Sequence, residues 1–180
     1  MTGFETLGLG AAATGAYTAS GFTALTHGAL TGGVTYSSVA AGAGLTITAT
    51  TGQTATYTLA NATGLEDSLA LTITGAAGIT ANTLTAGGVE TVAITSDDSA
   101  TTVTGINHTL TLAGNDVKTI TVSGDAGLVL TAASTALISF DASGTTTATS
   151  AVSLTTGALT NSATLTGGAG GDTIDAALAI

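Results

Sequence analysis

The sequence has no cysteine and no proline, and its single basic side chain, Lys118, stands against eleven carboxylates. Without cysteine the chain forms no disulfide and offers neither a thiolate nucleophile nor a cysteine-rich zinc site. The formal net charge of -10 at pH 7 repels nucleic acid, so binding to a phosphate backbone is excluded. The composition therefore predicts a protein with no nucleic-acid partner.

Aromatic residues are scarce, at 3% of the chain, and tryptophan is absent. The core must therefore be built from Val, Ile, Leu and Ala, which bury less surface per residue than aromatics. Such a thin core favours a β-solenoid or a β-sandwich over an aromatic-rich enzyme domain. The mean hydropathy is +0.56, but Thr and Gly interrupt every apolar stretch well before the roughly 18 residues of a membrane-spanning helix. We expect no membrane insertion.

Groups for catalysis are equally few. His27 and His108 are the only candidate general bases near neutral pH, and neither lies in a pattern that suggests a nucleophile or a supporting carboxylate. We expect both to be surface or turn residues. Some parallel β-helices cleave polysaccharides, but a chain with one Lys, no Arg and no Trp lacks the groups that hold acidic sugars. The sequence predicts a non-enzymatic protein.

Short runs of alternating apolar and polar residues recur along the chain, separated by Gly, Asn, Asp or Ser. This pattern is typical of half-buried strands joined by tight turns, with Thr on the outer face. Capping boxes followed by helical periodicity are missing, so we expect little helix. The predicted strands are residues 45–50, 54–59, 69–74, 89–95, 101–104, 109–112, 117–123, 128–131, 137–140, 152–154 and 163–166.

Approximate repeats point to stacked β-coils. Residues 89–95 and 117–122 share a frame of apolar, charged, Thr, apolar, small and apolar residues, in which Glu90 and Lys118 are equivalent. If the coils stack, these two side chains form a pair. Residues 1–86 differ in texture, with Gly- and Ala-rich interruptions and most of the aromatics. We therefore predict an all-β fold, with a parallel β-solenoid over residues 87–180 and a Thr/Ala/Gly-rich β region over residues 1–86. Two β-sandwich subdomains are the alternative.

Residues 167–175 read Gly-Gly-Ala-Gly-Gly-Asp-Thr-Ile-Asp, which fits the calcium-binding β-roll nonapeptide G-G-x-G-x-D-x-U-x. In such a repeat the glycines turn the backbone tightly and aim carbonyl oxygens inward, Asp172 adds a carboxylate, and Ile174 points into the core. The predicted ligand is a hard cation, Ca²⁺. The alternative is an ordinary glycine-rich turn with no ion.

Further acidic turns follow other predicted strands. Carboxylates at turn corners are calcium ligands in many sites, but Asp also favours turns because its side chain bonds to nearby backbone amides. Both interpretations stay open for each turn. The complete set of candidate calcium ligands is Gly168, Gly170, Asp172, Asp175, Asp97, Asp98, Asp116, Asp125 and Asp141.

The Thr/Ala/Gly-rich strands, the repeat frame, the Phe-Asp-Ala-Ser turn at residues 140–143 and the closing nonapeptide resemble the lattice-forming region of calcium-dependent, type I-secreted S-layer proteins of the Caulobacter type. Similar β-strand repeats occur in large RTX adhesins. The resemblance implies a right-handed parallel β-solenoid that binds many calcium ions and packs laterally into a two-dimensional sheet on the cell surface. One departure is that RTX blocks usually carry several tandem nonapeptides, and this sequence has one.

This resemblance implies two candidate functions. The first is an extracellular structural protein that assembles with copies of itself into an S-layer. The second is a repeat or stalk module of a secreted calcium-binding adhesin. Residues 1–5 have neither the basic region nor the apolar region of a signal peptide, which would suit type I export. Anchoring to a cell-surface glycan or lipopolysaccharide would need a region outside this chain.

Overall fold

A computed structural model describes residues 4–102 and 105–178, and within them sixteen β-strands and no α-helix. The strands follow the chain as β1 (Thr6–Leu9), β2 (Gly15–Thr18), β3 (Ala24–His27), β4 (Val34–Val39), β5 (Gly44–Ile47), β6 (Ala55–Leu59), β7 (Ser68–Gly75), β8 (Thr80–Gly87), β9 (Thr91–Asp98), β10 (Asn107–Ala113), β11 (Thr119–Gly124), β12 (Gly127–Ala132), β13 (Ser139–Thr145), β14 (Val152–Leu159), β15 (Thr164–Thr166) and β16 (Thr173–Leu178).

The strands alternate between two eight-stranded sheets, so the chain forms a β-solenoid. The odd-numbered strands make one sheet and the even-numbered strands the other, each in sequence order, and every pair is parallel. One odd and one even strand make a coil, and eight coils stack along the axis. The predicted all-β solenoid is confirmed, and it extends through the N-terminal region as well.

Apolar side chains of successive coils stack in columns between the two sheets. Inward positions of a strand alternate with outward ones, and in-register parallel pairing places like positions above one another. One column in the odd-numbered sheet runs through Leu7, Leu25, Leu45, Leu71, Ile94 and Val122. This column is therefore a continuous stack of aliphatic side chains along the solenoid axis.

A column of tyrosines fills the first coils of the even-numbered sheet. Tyr17, Tyr36 and Tyr57 are in register, and the last two are fully buried. The Tyr57 hydroxyl donates to the Ala43 carbonyl at 2.7 Å. Burial raises the pKa of Tyr57 to about 12. These rings supply much of the apolar volume in the region where the sequence concentrates its aromatics.

Coil length varies although the strands stay in register. Leu7 pairs with Leu25, 18 residues later, whereas Val92 pairs with Ile120, 28 residues later. The extra residues lie in the corners between strands and at bulges. Two non-glycine residues with positive φ, Ser38 at 56° and Asn82 at 57°, lie where the β4–β6 and β8–β10 registers shift. These bulges broke the alternation that sequence analysis relied on, and neither β4 nor β8 was predicted.

Residues near the predicted boundary belong to both sheets. Strand β8 ends at Gly87 and pairs with β6 on one side and β10 on the other, and β7 pairs with β9 across the same position. The division into residues 1–86 and 87–180 remains a prediction. The strand predicted at residues 101–104 falls partly on residues 103 and 104, which lie outside the described residues.

Candidate cation-binding corners

Most of the aspartates predicted as ligands, and Glu90 as well, lie where strands end and the chain turns between sheets. We call the four that accept an amide hydrogen bond from the preceding coil the corner carboxylates: Glu90, Asp116, Asp125 and Asp172. The Glu90 carboxylate accepts from the Asp67 amide at 2.9 Å, and Asp116 accepts from the Gly88 amide at 3.0 Å. Asp125 accepts from the Asp98 amide at 2.8 Å, and Asp172 from the Val152 amide at 2.7 Å.

In all four bonds a carboxylate takes the place of a missing backbone carbonyl. At a corner the backbone leaves the ladder, so an amide that points toward the next coil lacks its usual carbonyl partner. A carboxylate from the following coil replaces that carbonyl, 20 to 28 residues later in sequence. Hydrogen bonds to a charged acceptor are stronger than neutral ones. The acidic residues therefore hold neighbouring coils together as well as carrying charge.

The nonapeptide forms the corner between β15 and β16. Both Asp172 oxygens are engaged, because Oδ2 accepts from the Gly168 amide at 2.7 Å while Oδ1 accepts from Val152. Ile174 packs against the core, as the motif predicts. Gly170 has a φ of 103°, in the region that favours glycine. The glycines and Asp172 thus form a tight turn that is tied to its predecessor.

Gly168 is required by a close approach between coils. A Cβ at this position would collide with the Ala142 carbonyl and the Thr145 hydroxyl of the coil before. The same buried Thr145 hydroxyl accepts a hydrogen bond from the Ala169 amide at 2.8 Å. No side chain larger than hydrogen fits here without moving backbone. The motif's second glycine therefore has a packing reason that needs no ion.

Asp97 and Asp98 end strand β9 in the fifth coil, and Asp125 lies at the adjacent corner of the sixth coil. Asp97 Oδ2 accepts from the Thr74 hydroxyl at 2.7 Å, and the buried Asp98 accepts from the Ala100 amide at 3.0 Å. Asp125 reaches this corner through its bond to the Asp98 amide. These hydrogen bonds place three predicted ligands at neighbouring corners, each with its own partner.

The remaining predicted ligands lie apart. The Ser143 side chain and amide donate to Asp141 and lower the pKa of its carboxyl. Asp175 is exposed on the outer face of β16, in register with Thr155. Asp116 lies at the Gly88 corner. The structure therefore spreads the nine predicted ligands over several corners rather than one site.

We tested whether these residues fit a calcium ion. Ca²⁺ takes six to eight oxygen ligands, yet residues 4–102 and 105–178 contain no group of three or more His, Cys, Asp or Glu side chains placed to hold a metal. An ionised carboxylate has about four lone-pair sites, so Asp172 keeps accepting capacity beyond its two amide bonds. The described residues of one chain therefore offer a calcium ion isolated carboxylates and do not complete its coordination shell.

Both histidines were predicted to be surface or turn residues, and this prediction is wrong because both are buried within strands, His27 in β3 and His108 in β10. His108 is fully paired: its Nδ1 accepts from the Ile79 amide at 2.9 Å, so its Nε2–H donates to the Asp97 carbonyl at 3.0 Å. His27 donates from Nδ1 to the Gly28 carbonyl at 3.0 Å, and its buried Nε2 has no partner. Burial lowers the pKa of His27. The residues next to each histidine in the sequence did not indicate that its side chain would be buried.

Sequence analysis also missed the role of Glu90. It was read as equivalent to Lys118 and expected to pair with it if the coils stack. The two positions do stack in adjacent coils, since the Lys118 amide donates to the Glu90 carbonyl at 2.8 Å. The Glu90 carboxylate instead turns to the preceding coil, where it caps the Asp67 amide. One Asp67 oxygen, Oδ2, is buried without a hydrogen-bond partner. The sequence repeat could show that the two frames stack, but it could not show which way the Glu90 side chain points.

No protein-family model and no curated protein matches this sequence. The described part of the chain contains no helix that is long and apolar enough to cross a membrane. Over the same residues no ligand pocket is found.

Proposed function

We propose that this chain is a structural cell-surface protein that binds calcium and assembles with copies of itself into a two-dimensional S-layer. The observation that carries the proposal is a solenoid whose outer faces are Thr-rich and whose carboxylates lie mostly at the corners. Such a body presents the same kind of surface along its whole length. Repeating lateral contacts between identical bodies are what a lattice needs.

The incomplete ligand sets favour contacts between copies. A corner carboxylate that already caps an amide has spare lone pairs but too few partners for a calcium cage within its own chain. A neighbouring molecule that brings its own carboxylate to the same ion completes the coordination. Calcium then acts as the link between solenoids and relieves the repulsion that a net charge of -10 imposes.

The second candidate is a stalk or repeat module of a secreted adhesin. Its support is the same stacked-coil architecture, which makes an extended spacer. A stalk needs calcium only within the chain, so it gains stability from the ion without lateral growth. Extracellular calcium modules bind with affinities of about 10⁻⁴–10⁻³ M, so both candidates predict a response in the millimolar range and place the protein outside the cell.

The test combines light scattering with circular dichroism on one sample, in chelator and then in millimolar calcium. Growth into sheets with calcium supports the S-layer, and a calcium-dependent gain in stability without growth supports the adhesin module. Magnesium at the same concentration is the ion control. Asp125→Asn should weaken the response because it removes a predicted ligand at the Asp98 corner, whereas Glu66→Gln, an exposed charge outside the predicted set, should not. A protein that is indifferent to calcium would refute both candidates.

A further inference from the structure

The sequence contains the attachment motif for N-linked glycans twice, at residues 61–63 (Asn-Ala-Thr) and 107–109 (Asn-His-Thr). In this motif, N-x-[ST] with x other than proline, the asparagine side-chain amide receives the sugar. Ser and Thr are so frequent in this chain that the three-residue pattern alone identifies no site. The structure places the two copies in opposite settings, and these settings distinguish them.

The first copy lies in an exposed loop between β6 and β7. Residues 60–66 are all exposed and belong to no strand. The loop is fixed at its start, where the Ala60 amide donates to the Val39 carbonyl at 2.8 Å. It is fixed at its end, where the Asp67 amide donates to the Glu90 carboxylate at 2.9 Å. The middle of the loop is therefore open to an enzyme while the loop keeps a defined course.

Ala62 holds the middle of this loop against the next coil. A Cβ at Gly88 would collide with the Ala62 methyl group, so these two residues are in close contact. The residues on either side of Ala62, Asn61 and Thr63, are both exposed. The loop thus packs through its central alanine and leaves exposed the two residues that the motif requires.

Asn61 and Thr63 are joined by an Asx-type turn. The Thr63 amide donates to Asn61 Oδ1 at 3.0 Å, and the Thr63 hydroxyl donates to the same oxygen at 2.7 Å. A backbone amide can only donate, so the atom that it meets is the side-chain oxygen of Asn61 and not the nitrogen. Asn61 Nδ2 donates no hydrogen bond to residues 4–102 or 105–178. The turn therefore places the motif hydroxyl beside the Asn61 amide and leaves the reacting nitrogen available.

The second copy lies within strand β10, which is paired with β8 on one side and β12 on the other. The Thr109 amide donates to the Ile79 carbonyl at 2.8 Å, and the Ile106 carbonyl accepts from the Gly127 amide at 2.9 Å. Two residues along a strand span about 6.7 Å, so the extended backbone holds the Asn107 and Thr109 side chains apart. Asn107 Oδ1 instead lies against Gly127, where a Cβ would collide with it. An enzyme would have to separate β10 from its neighbours to bend this copy into a turn.

We propose that Asn61 is an attachment site for an N-linked glycan and that Asn107 is not. In the transfer step Asn61 Nδ2 bonds to the anomeric carbon of a diphosphate-activated sugar, and the bond from that carbon to the diphosphate oxygen breaks. The diphosphate leaves with the electron pair, and the amide proton passes to a base of the transferase. The loop joins one sheet to the other, so a glycan at Asn61 leaves the outer faces of both sheets uncovered.

The experiment uses the full chain in its folded state, which circular dichroism verifies. Either a nucleotide or a lipid can carry the activated sugar, so two arms are run. One arm supplies a soluble N-x-[ST] transferase with nucleotide-activated glucose, and the other supplies a membrane transferase with a lipid-diphosphate oligosaccharide. Intact-mass spectrometry counts the attached glycans, and peptide mapping locates them. We expect one glycan per chain, on Asn61, and the arm that produces it identifies the carrier.

Four variants test the assignment. Asn61→Gln and Thr63→Ala should abolish the modification, because the first displaces the amide and the second removes the hydroxyl. Thr63→Ser keeps a hydroxyl and should keep the modification. Asn107→Gln is the matched control and should be modified like wild type. The substituted residues are all exposed, so each variant should stay folded, which circular dichroism checks.

Each transferase is first shown to modify free peptides of residues 58–66 and 105–112, which no strand holds. Calcium-dependent assembly is measured separately on unmodified protein, where Asn61→Gln should behave like wild type, so the lattice and the glycan site fail independently. Three results would overturn the proposal: a folded wild-type chain that stays unmodified in both arms, transfer to Asn107 in the folded chain as readily as to Asn61, or transfer to Thr63→Ala at the wild-type level.

Discussion

The two buried histidines should respond oppositely to the same substitution. His27 lies between Leu9 and Ile47 in an inward column, and its Nε2 has no partner. A buried polar group without a hydrogen bond costs about 1–3 kcal/mol. His27→Leu removes that cost and gives up one bond to the half-buried Gly28 carbonyl, worth about 1 kcal/mol. We expect a net stabilisation of about 1 kcal/mol.

His108→Leu should be strongly destabilising. Both of its ring nitrogens are paired, and the substitution leaves the Ile79 amide and the Asp97 carbonyl without partners. Two unpaired groups at about 1–2 kcal/mol each give a loss of about 2–4 kcal/mol. With a urea slope of about 2 kcal/mol per molar, the midpoint should rise by about 0.5 M for His27→Leu and fall by about 1–2 M for His108→Leu.

The pH dependence supplies an independent check on His27. Its pKa is lowered in the folded state, so the unfolded chain binds a proton that the folded chain does not. Stability is therefore full above pH 6.5 and is lost as the pH falls below it, by at most about 1.4 kcal/mol per pH unit. His27→Leu should lack this component.

Urea titrations at pH 7.5 and 5.5, with hydrogen exchange of amides in β3 and β10, provide the assay. Exchange matters because coils of a solenoid open locally, and His27 lies in the second coil. If both leucine variants lose stability to a similar extent, or if wild type and His27→Leu share one pH profile, the assignment of paired and unpaired nitrogens is wrong.

Three further substitutions test the corners and the core by urea titration in chelator. Gly168→Ala should cost about 1–3 kcal/mol because a methyl group collides with backbone of the preceding coil, and Gly171→Ala, which meets nothing within 4 Å, should cost little. Tyr57→Phe should cost about 1 kcal/mol through its lost 2.7 Å bond, and an unchanged midpoint would contradict that bond. Asp172→Ala should cost about 2 kcal/mol because two amides lose their acceptor, whereas the exposed Asp175→Ala should change stability by less than about 0.5 kcal/mol; equal effects would refute the capping role.

The fold could be predicted because alternation survives in most strands. Where Thr alternates with Leu, Ile or Val, as in β7 and β10, each residue's face follows from its position and the strand was found. Strands β1, β2 and β3, of four residues each, were also missed and contain no bulge. In β4 and β8, Ser38 and Asn82 adopt positive φ and shift the alternation by a bulge. A bulge forms where two neighbouring coils of unequal length pair. The lengths of both coils cannot be read from the local sequence pattern of one strand.

The corner bonds could not be predicted for a related reason. The nonapeptide identified Asp172 as a carboxylate ligand in a glycine-rich turn, and the structure shows that it accepts hydrogen bonds from the Gly168 and Val152 amides. The Val152 partner lies 20 residues away, and the equivalent distance for Asp116 is 28. Because coil length is not constant, the sequence gives the acceptor carboxylates but not the backbone amides that donate to them. The same uncertainty hid the burial of His108, whose partners lie 29 and 11 residues away.

The stacking of carboxylates links stability to ions even without a preformed cage. Neighbouring coils are about 4.8 Å apart, less than the Debye length of about 8 Å at physiological salt, so corner charges on adjacent coils repel. Any cation lessens this repulsion by screening, but millimolar calcium barely changes the ionic strength of a 0.15 M solution. A rise in the urea midpoint with millimolar calcium, absent when sodium chloride restores the same ionic strength, would therefore indicate direct coordination. An equal rise with both salts would show that the carboxylates need only screening and that their amide bonds account for their positions.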